Sequence, residues 1–261
     1  MDQSARQSKA VEIAKEAGEL ALNHFRDISK LEISEKGAQD LVSNADLEVE
    51  LFVRGRLQEA FPDDGIIGEE HAPKASQSGW TWVIDPIDGT ANFVRGIPQW
   101  CVILACVHAD QTKVGVIYEP SYGEMFTTSL GQGAFVNDRP LRVAKTKGLH
   151  DGSLGVGYNG RTPSNMVPQL IDDLASRGGI FFRNASGGLM LAYVAAGRLI
   201  GYTEPHMNAW DCLAGQLLIK EAGGRIEDQS AAQMLETGGR VIAGSPDIFD
   251  ELLEMSNAAY A

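Results

Sequence analysis

An apolar run that ends in two acids sets the first constraint on this chain. Residues 82–93 read WVIDPIDGTANF, with Asp85 and Asp88 three positions apart between a hydrophobic stretch and a Gly-Thr pair. Like charges this close repel, and burying them raises the cost. A fold containing this stretch must either leave the turn open to water or bring a positive group to it.

The flanking residues define the elements that carry it. Ala10, Ala14, Ala17, Ala21 and Phe25 recur at helical spacing and predict a helix over 8–26. Val49, Val53, Leu57 and Ala60 form a second stripe, capped by Ser43 or Asn44 and ended by Pro62 and Gly65, which puts Asp46 in its first turn. GIIGEEH at 65–71 reads as a short strand ending in acid. WTWVID at 80–85 reads as the strand that delivers Asp85, with Asp88 in the turn after Pro86. Apolar runs at 101–109 and 113–120 make a hairpin through DQT, and short strands with glycine turns follow. A boundary near 144–152 divides the chain into an N-terminal half, 1–145, and a C-terminal half, 146–261, expected to act as one unit with a site between them. Helices are predicted over 166–179, 187–199, 210–224 and, with proline at its start, 246–260; strands are predicted over 200–205 and 239–245. Strands and helices mix without strict alternation, which points to a layered α+β fold rather than a doubly wound parallel sheet.

Composition narrows the partners. A chain of 261 residues can bury a sizeable core as one large domain or two small ones. Its net charge of −13 argues against nucleic acid and anionic membranes, which need a basic face, and suits cation binding. The longest apolar run, CVILACV at 101–107, fits a buried strand rather than a membrane span. The first residues lack the apolar core of a signal peptide. Three cysteines, Cys101, Cys106 and Cys212, are too few and too oddly numbered for a disulfide framework, so reduced buried thiols in a cytoplasm are expected.

Four acids share one context. Glu69 ends IIGEE, Asp85 ends a strand, Asp88 follows it, and Asp211 stands at the start of the 210–222 helix. Hard oxygen ligands at several rigid points select Mg²⁺ or Mn²⁺. No HxH, HExxH or CxxC cluster supports zinc, and neither GxxxxGK[ST] nor GxSxG is present. Singly, each acid has a simpler reading as a turn-former, a solvated loop acid or a helix-start acid. The complete string DPIDGTANF strains those readings.

Four stretches resemble signatures of the inositol monophosphatase family, in family order: DLVSNAD at 40–46, IGEE at 67–70, WVIDPIDGTANF at 82–93 and WDCLAGQLLIKEAGG at 210–224. The resemblance implies a layered α/β/α/β/α sandwich of the sugar-phosphatase type, expected here as a homodimer. It implies that Glu69, Asp85 and the carbonyl of Ile87 hold one Mg²⁺, and that Asp85, Asp88 and Asp211 hold a second. A third, weaker Mg²⁺ would lie near Glu69, and Mn²⁺ could substitute. The two aspartates would then face each other across cations. Thr90 and Asp46 would position an attacking water near Glu69, and the Gly89 and Thr90 N–H groups would hold phosphate oxygens. Metal neutralises an already anionic phosphate monoester and acidifies water for in-line displacement, so no phosphoenzyme is expected. Read on their own, Thr90 could also be a helix N-cap and Asp46 an early-helix acid.

The substrate side is less defined. By family position, Ser186 and Gly187 in the ASGG turn and Glu204 in YTEP would contact the alcohol, beside Asp88, Gly89, Thr90 and Asp211. The expected activity is Mg²⁺-dependent, lithium-sensitive hydrolysis of a small polyol phosphate such as inositol 1-phosphate. Asn208 stands where a histidine often occurs, and MNxWD is similar to members that act on histidinol phosphate. Bisphosphate nucleotidase and fructose-1,6-bisphosphatase activities share the machinery but need a second basic pocket, and no basic cluster is evident. Arg183 and Arg198 could contact phosphate or a neighbouring subunit but are expected to pair with surface acids; His71 and His206 could donate a proton but are expected to be ordinary polar or packing residues, and Cys212 a small buried one. Two rivals remain. One is a haloacid-dehalogenase-type phosphatase, whose paired acids sit two residues apart rather than three. The other is a regulatory protein-binding role on the same fold.

Overall fold

The computed structural model describes residues 3–37, 40–160 and 162–261. The chain opens with α1 (Gln3–Arg26), the antiparallel pair β1 (Ile33–Gly37) and β2 (Asp40–Ser43), and α2 (Asn44–Ala60). Seven strands follow: β3 (Gly65–Gly68), β4 (Trp80–Asp88), β5 (Cys101–His108), β6 (Gln111–Glu119), β7 (Glu124–Ser129), β8 (Ala134–Val136) and β9 (Arg139–Pro140). The short α3 (Thr90–Phe93) sits between β4 and β5. Next come β10 (Ser153–Val156), α4 (Met166–Ser176), β11 (Ile180–Phe182), α5 (Gly187–Ala195) and β12 (Gly201–Met207). The chain ends with α6 (Ala209–Glu221), β13 (Arg225–Ile226), α7 (Ala231–Thr237), β14 (Gly239–Gly244) and α8 (Phe249–Ala259).

Strands β3 to β9 form one sheet in chain order, antiparallel except for the parallel β3–β4 pair. A second, mixed sheet has the order β11-β10-β12-β14-β13. Helices α1 and α2 cover the outer face of the first sheet, α5 and α6 lie between the sheets, and α4 and α8 cover the outer face of the second. The result is the five-layer α/β/α/β/α sandwich.

Residue chemistry follows the layers. Along β5, Val102, Leu104 and Cys106 join the core under α1 and α2, while Cys101, Ile103 and Ala105 join the middle core. Both faces of this sheet are covered, so its strands read as continuous apolar runs. Helix α5 (GGLMLAYVA) is apolar nearly all round because it packs on both sheets, whereas α8 keeps a polar outer face. All three cysteines are free and buried.

Several boundaries differ from the sequence expectation. Helix α1 starts at Gln3, not residue 8, and its first turns bury Arg6, which pairs with Asp64 at 2.9 Å. The β5–β6 turn is Ala109–Asp110, both at positive φ, not DQT. A two-residue turn of this hand matches the twist of the flanking strands. Helix α5 ends at Ala195 because Gly197 takes a left-handed conformation (φ 69°). Helix α8 begins at Phe249, so Pro246 lies in the preceding turn rather than at its first position. The short β1, β2, β10, β11, β13, α3 and α7 carried no readable period.

A buried acid at the end of β6 gives a pH prediction. Burial pushes the Glu119 carboxyl up from 4.5 to about 7, against the opposing hydrogen bond from Tyr193, whose hydroxyl lies 3.1 Å from both carboxylate oxygens. An acid whose folded value is raised destabilises the fold when it ionises. The penalty is absent below its unfolded value, grows as pH rises, and is complete above about 7. Glu119→Gln is expected to flatten this slope and to gain about 1–2 kcal/mol at pH 8, a figure discounted for solvent screening. Urea unfolding between pH 4.5 and 8 checks it; parallel slopes for both proteins would refute it.

Candidate active site

The spacing of Asp85 and Asp88 poses a geometric problem. On a regular strand, residues three apart face opposite sides. Along β4, Trp82 and Ile84 face α1 and α2, and Val83 faces the middle layer; Asp85 shares the parity of Val83. The pairing then slips: Asp85 is opposite Ile103 and Asp88 opposite Cys101, three steps on β4 against two on β5. This bulge falls at Pro86 and Ile87, where Pro86 has no N–H to contribute to the ladder. It returns Asp88 to the side of Asp85, facing the middle layer. Asp88 is therefore part of the strand, not of a turn beyond it. Asp85 is also deeper than a strand-end acid need be, at 1% exposure.

The N-termini of the two middle helices meet this pair. At the start of α5, the Gly188 N–H donates to Asp88 Oδ2 at 2.7 Å, and the Ser186 hydroxyl donates to the same oxygen at 2.5 Å. The Cys101 thiol adds a third contact at 3.5 Å. Any Cβ on Gly188 would collide with Ile103 and stand 2.9 Å from Asp88 Oδ2. At the start of α6, Asp211 occupies the third position of a capping box and accepts the Asn208 N–H at 3.0 Å. Asp85, Asp88 and Asp211 each present an oxygen within 4.8 Å of the others. Glu69 follows β3, the parallel neighbour of β4, and lines an open cleft of about 680 Å³ with Asp85, Ile87, Asp88, Gly89, Thr90 and Asp211.

These carboxylates destabilise one another as anions. Burial holds the Asp85 carboxyl well above the usual range, and the charges of Glu69, Asp88 and Asp211 push it further. Burial also raises Asp88, although the Ser186, Gly188 and Cys101 donors favour its ionised form. Neither Asp85 nor Asp88 is ion-paired to Lys or Arg among the described residues. Converging carboxylate oxygens are the donor set that a hard divalent cation takes.

Asp46 and Thr90 form a second constellation at the same cleft. Asp46 is the third residue of α2, with Ser43 at the N-cap; its Oδ2 accepts the Ser43 N–H at 2.8 Å and hydroxyl at 2.6 Å. Its Oδ1 stands 3.0 Å from the Thr90 hydroxyl, which is also 3.0 Å from the Ile87 carbonyl. One hydroxyl proton cannot serve both acceptors at once. Burial raises the Asp46 carboxyl, and the Ser43 and Thr90 hydrogen bonds oppose it. Thr90 is not the helix cap. Gly89 holds that position at φ 97°, where a side chain would come within 3.0 Å of the Gln99 carbonyl.

A smaller pocket of about 130 Å³ extends beyond Asp88 and Asp211, between Tyr158, Asn159, Arg183, Gly187, Glu204 and Met207. Glu204 is buried there, held by the Asn159 amide at 2.7 Å and by the Tyr202 hydroxyl, and burial raises its carboxyl. Gly187 lines the pocket, but Ser186 does not: its side chain is fully buried behind Asp88, so the expected alcohol contact is replaced by support of a carboxylate. Arg198 pairs with Glu124 through two 2.6 Å bonds, as a surface arginine should. Among the described residues, Arg183 pairs with no surface acid. Its guanidinium donates to the Tyr158 carbonyl at 3.2 Å and lines both cavities. Sequence reading missed Asn159 and Tyr202, which left no signal, and took Gly188 only as part of the ASGG turn at the substrate rather than as a donor to Asp88.

The model of the inositol monophosphatase family matches residues 2–259. The chain belongs to the inositol monophosphatase family. An inositol-1-monophosphatase of Mesorhizobium japonicum is 40% identical over 258 residues, covering 97% of both chains. A Nus factor SuhB of Escherichia coli K12 is 34% identical, covering 94% of this chain and 92% of its own. The crystal structure of the extragenic suppressor protein suhB from Bartonella henselae superposes with a TM-score of 0.90 at 31% identity over 98% of each chain. The Thermotoga maritima IMPase superposes at 0.86 with 28% identity over 97% of each. Family membership makes this protein a phosphoric monoester hydrolase and leaves no place for the haloacid-dehalogenase reading. A small phosphate ester is the substrate class that fits the family, and none of the described helices is long and apolar enough to cross a membrane.

Proposed function

We propose that this phosphatase is Mg²⁺-dependent and hydrolyses a small polyol phosphate, with inositol 1-phosphate the first candidate. The observation that carries the reading is the convergence of Asp85, Asp88 and Asp211 from one bulged strand and one helix start onto an open cleft. Glu69, Asp85 and the Ile87 carbonyl would hold one cation, and Asp85, Asp88 and Asp211 a second, with Mn²⁺ able to replace Mg²⁺. When bound, such cations neutralise phosphate charge and acidify water. Thr90 donates to Asp46 and accepts a hydrogen bond from the attacking water, which fixes the water's lone pair on the line of displacement. Buried Asp46 is the group placed to take the proton through that hydroxyl. The N–H groups of Gly89 and Thr90, which start a helix and so have no intrahelical acceptor, face phosphate oxygens. Gly187 leaves room for the alcohol, and Glu204 accepts from its hydroxyls.

The two halves, 1–145 and 146–261, would act as one unit with the site between them, in a cytoplasmic, lithium-sensitive homodimer. Exposed Ile180 and Phe181 on edge strand β11 support self-association. Arg183 and the MNxWD run keep histidinol phosphate and bisphosphates as alternative substrates. A second, protein-binding role is suggested by the relatives named Nus factor SuhB.

Phosphate release from inositol 1-phosphate, histidinol phosphate, fructose 1,6-bisphosphate and 3′-phosphoadenosine 5′-phosphate, with Mg²⁺ and with EDTA, tests the reading. Inositol 1-phosphate is expected to dominate and EDTA to abolish release. Preference for histidinol phosphate would move the substrate, and EDTA-resistant turnover would remove the cations.

A further inference from the structure

Behind the Glu69 loop lies a buried ion pair that the chemistry above does not use. Glu50 and Arg54 stand one turn apart on α2, both buried, with Arg54 Nε donating to Glu50 Oε1 at 2.6 Å. Glu50 also accepts the backbone N–H of Glu70 at 2.7 Å and of His71 at 3.2 Å. Arg54 donates to the carbonyls of His71 at 2.9 Å and Ala72 at 3.1 Å. The backbone immediately after Glu69 is therefore held at four points by one helix. On the other side of Glu69, Gly68 packs so closely on the Glu50 carboxylate that any Cβ would collide with it. Asp46, one turn before Glu50, faces Thr90 from the same helix. Buried ion pairs seldom add net stability over apolar packing, and this one spends its remaining hydrogen bonds on fixing the backbone after Glu69.

We propose that Glu50 and Arg54 are positioning residues that fix Glu69 for cation binding, so that α2 orients the cation ligand and the Asp46–Thr90 pair together. This rests on the cation reading above. Neither residue touches substrate; both act through the Glu69–Ala72 backbone.

Calorimetric titration of Mg²⁺ into wild type, Glu50→Gln and Arg54→Lys tests it, beside thermal unfolding and the Mg²⁺ dependence of the rate. Glu50→Gln is expected to weaken Mg²⁺ binding about 10- to 100-fold, the usual loss when a supporting partner of a ligand is removed. The rate at saturating Mg²⁺ should recover to within about threefold, because Glu69 itself remains. Arg54→Lys keeps the charge but gives up the fork to two carbonyls, and should show the same shift; it decides the matter if Glu50→Gln does not fold. A purely structural pair would lower the melting temperature and leave Mg²⁺ affinity within about twofold, the scale of no measurable support. That outcome in a folded variant overturns the proposal. If wild type itself binds neither Mg²⁺ nor Mn²⁺, the cation reading fails and the positioning role falls with it.

Discussion

Replacing Asp85 or Asp211 by Asn is expected to lower the phosphatase rate measured with Mg²⁺ by about 10³-fold or more while the protein stays folded. The size follows from the role. A cation supplies several kcal/mol of transition-state charge stabilisation, and each 1.36 kcal/mol is about tenfold in rate. Removing Asp85 should disturb both proposed cation positions, because the charges of Glu69, Asp88 and Asp211 all act on its carboxyl. The fold should survive because these acids repel one another. Without metal, the raised Asp85 carboxyl opposes folding increasingly as pH rises above the ordinary value of 3.8, and it ceases to do so below that value. Metal-free Asp85→Asn should therefore melt no lower than metal-free wild type at pH 8, and Mg²⁺ should raise the melting temperature of wild type far more than that of the variant. Turnover assays with differential scanning calorimetry check both halves. A near-normal rate in either variant would sink the two-cation site.

Asp46→Asn and Thr90→Val should each cut kcat by about 10²- to 10³-fold with Mg²⁺ affinity unchanged, the range for losing a positioned proton acceptor. The two should be far from additive, because one hydroxyl and one carboxylate act as a single relay. Asn can still accept the Ser43 N–H, so the start of α2 should lose no more than about 1 kcal/mol. The double variant, with kcat and calorimetric Mg²⁺ affinity measured side by side, separates this role from a metal-ligand role. Weakened Mg²⁺ binding would assign Asp46 to the cation shell instead.

Ambiguous singly, the candidate acids were legible as a set, because each sits in a recognisable local pattern. Asp46 and Asp211 hold the third position of capping boxes, a pattern that spans four residues. Glu69 directly follows the apolar β3, and Asp85 ends the apolar run within β4, just before Pro86. The layered α+β class was legible from the mixing of strands and helices, whereas the five layers were implied only by the family resemblance; α5, apolar nearly all round between two sheets, fits them. What misled was also local. Ser186 beside two glycines has the look of a substrate contact, but its hydroxyl is taken by Asp88, 98 residues away in the chain. For Arg183 the favoured surface pairing gave way to the alternative position beside the cleft, on its wall.

The sequence by itself determined the candidate acids of the site, the helix starts that present Asp46 and Asp211, and the layered α+β class. Only the tertiary structure decided that a bulge at Pro86 and Ile87 turns Asp88 to the side of Asp85, that α5 supplies the donors holding it, and that Glu50 and Arg54 grip the Glu69 loop. The division has one physical cause. Capping, periodicity and turn chemistry act over a few residues and leave their mark in the local string, whereas strand register and buried hydrogen bonds are settled only when distant segments close on one another and every buried polar group must find its partner.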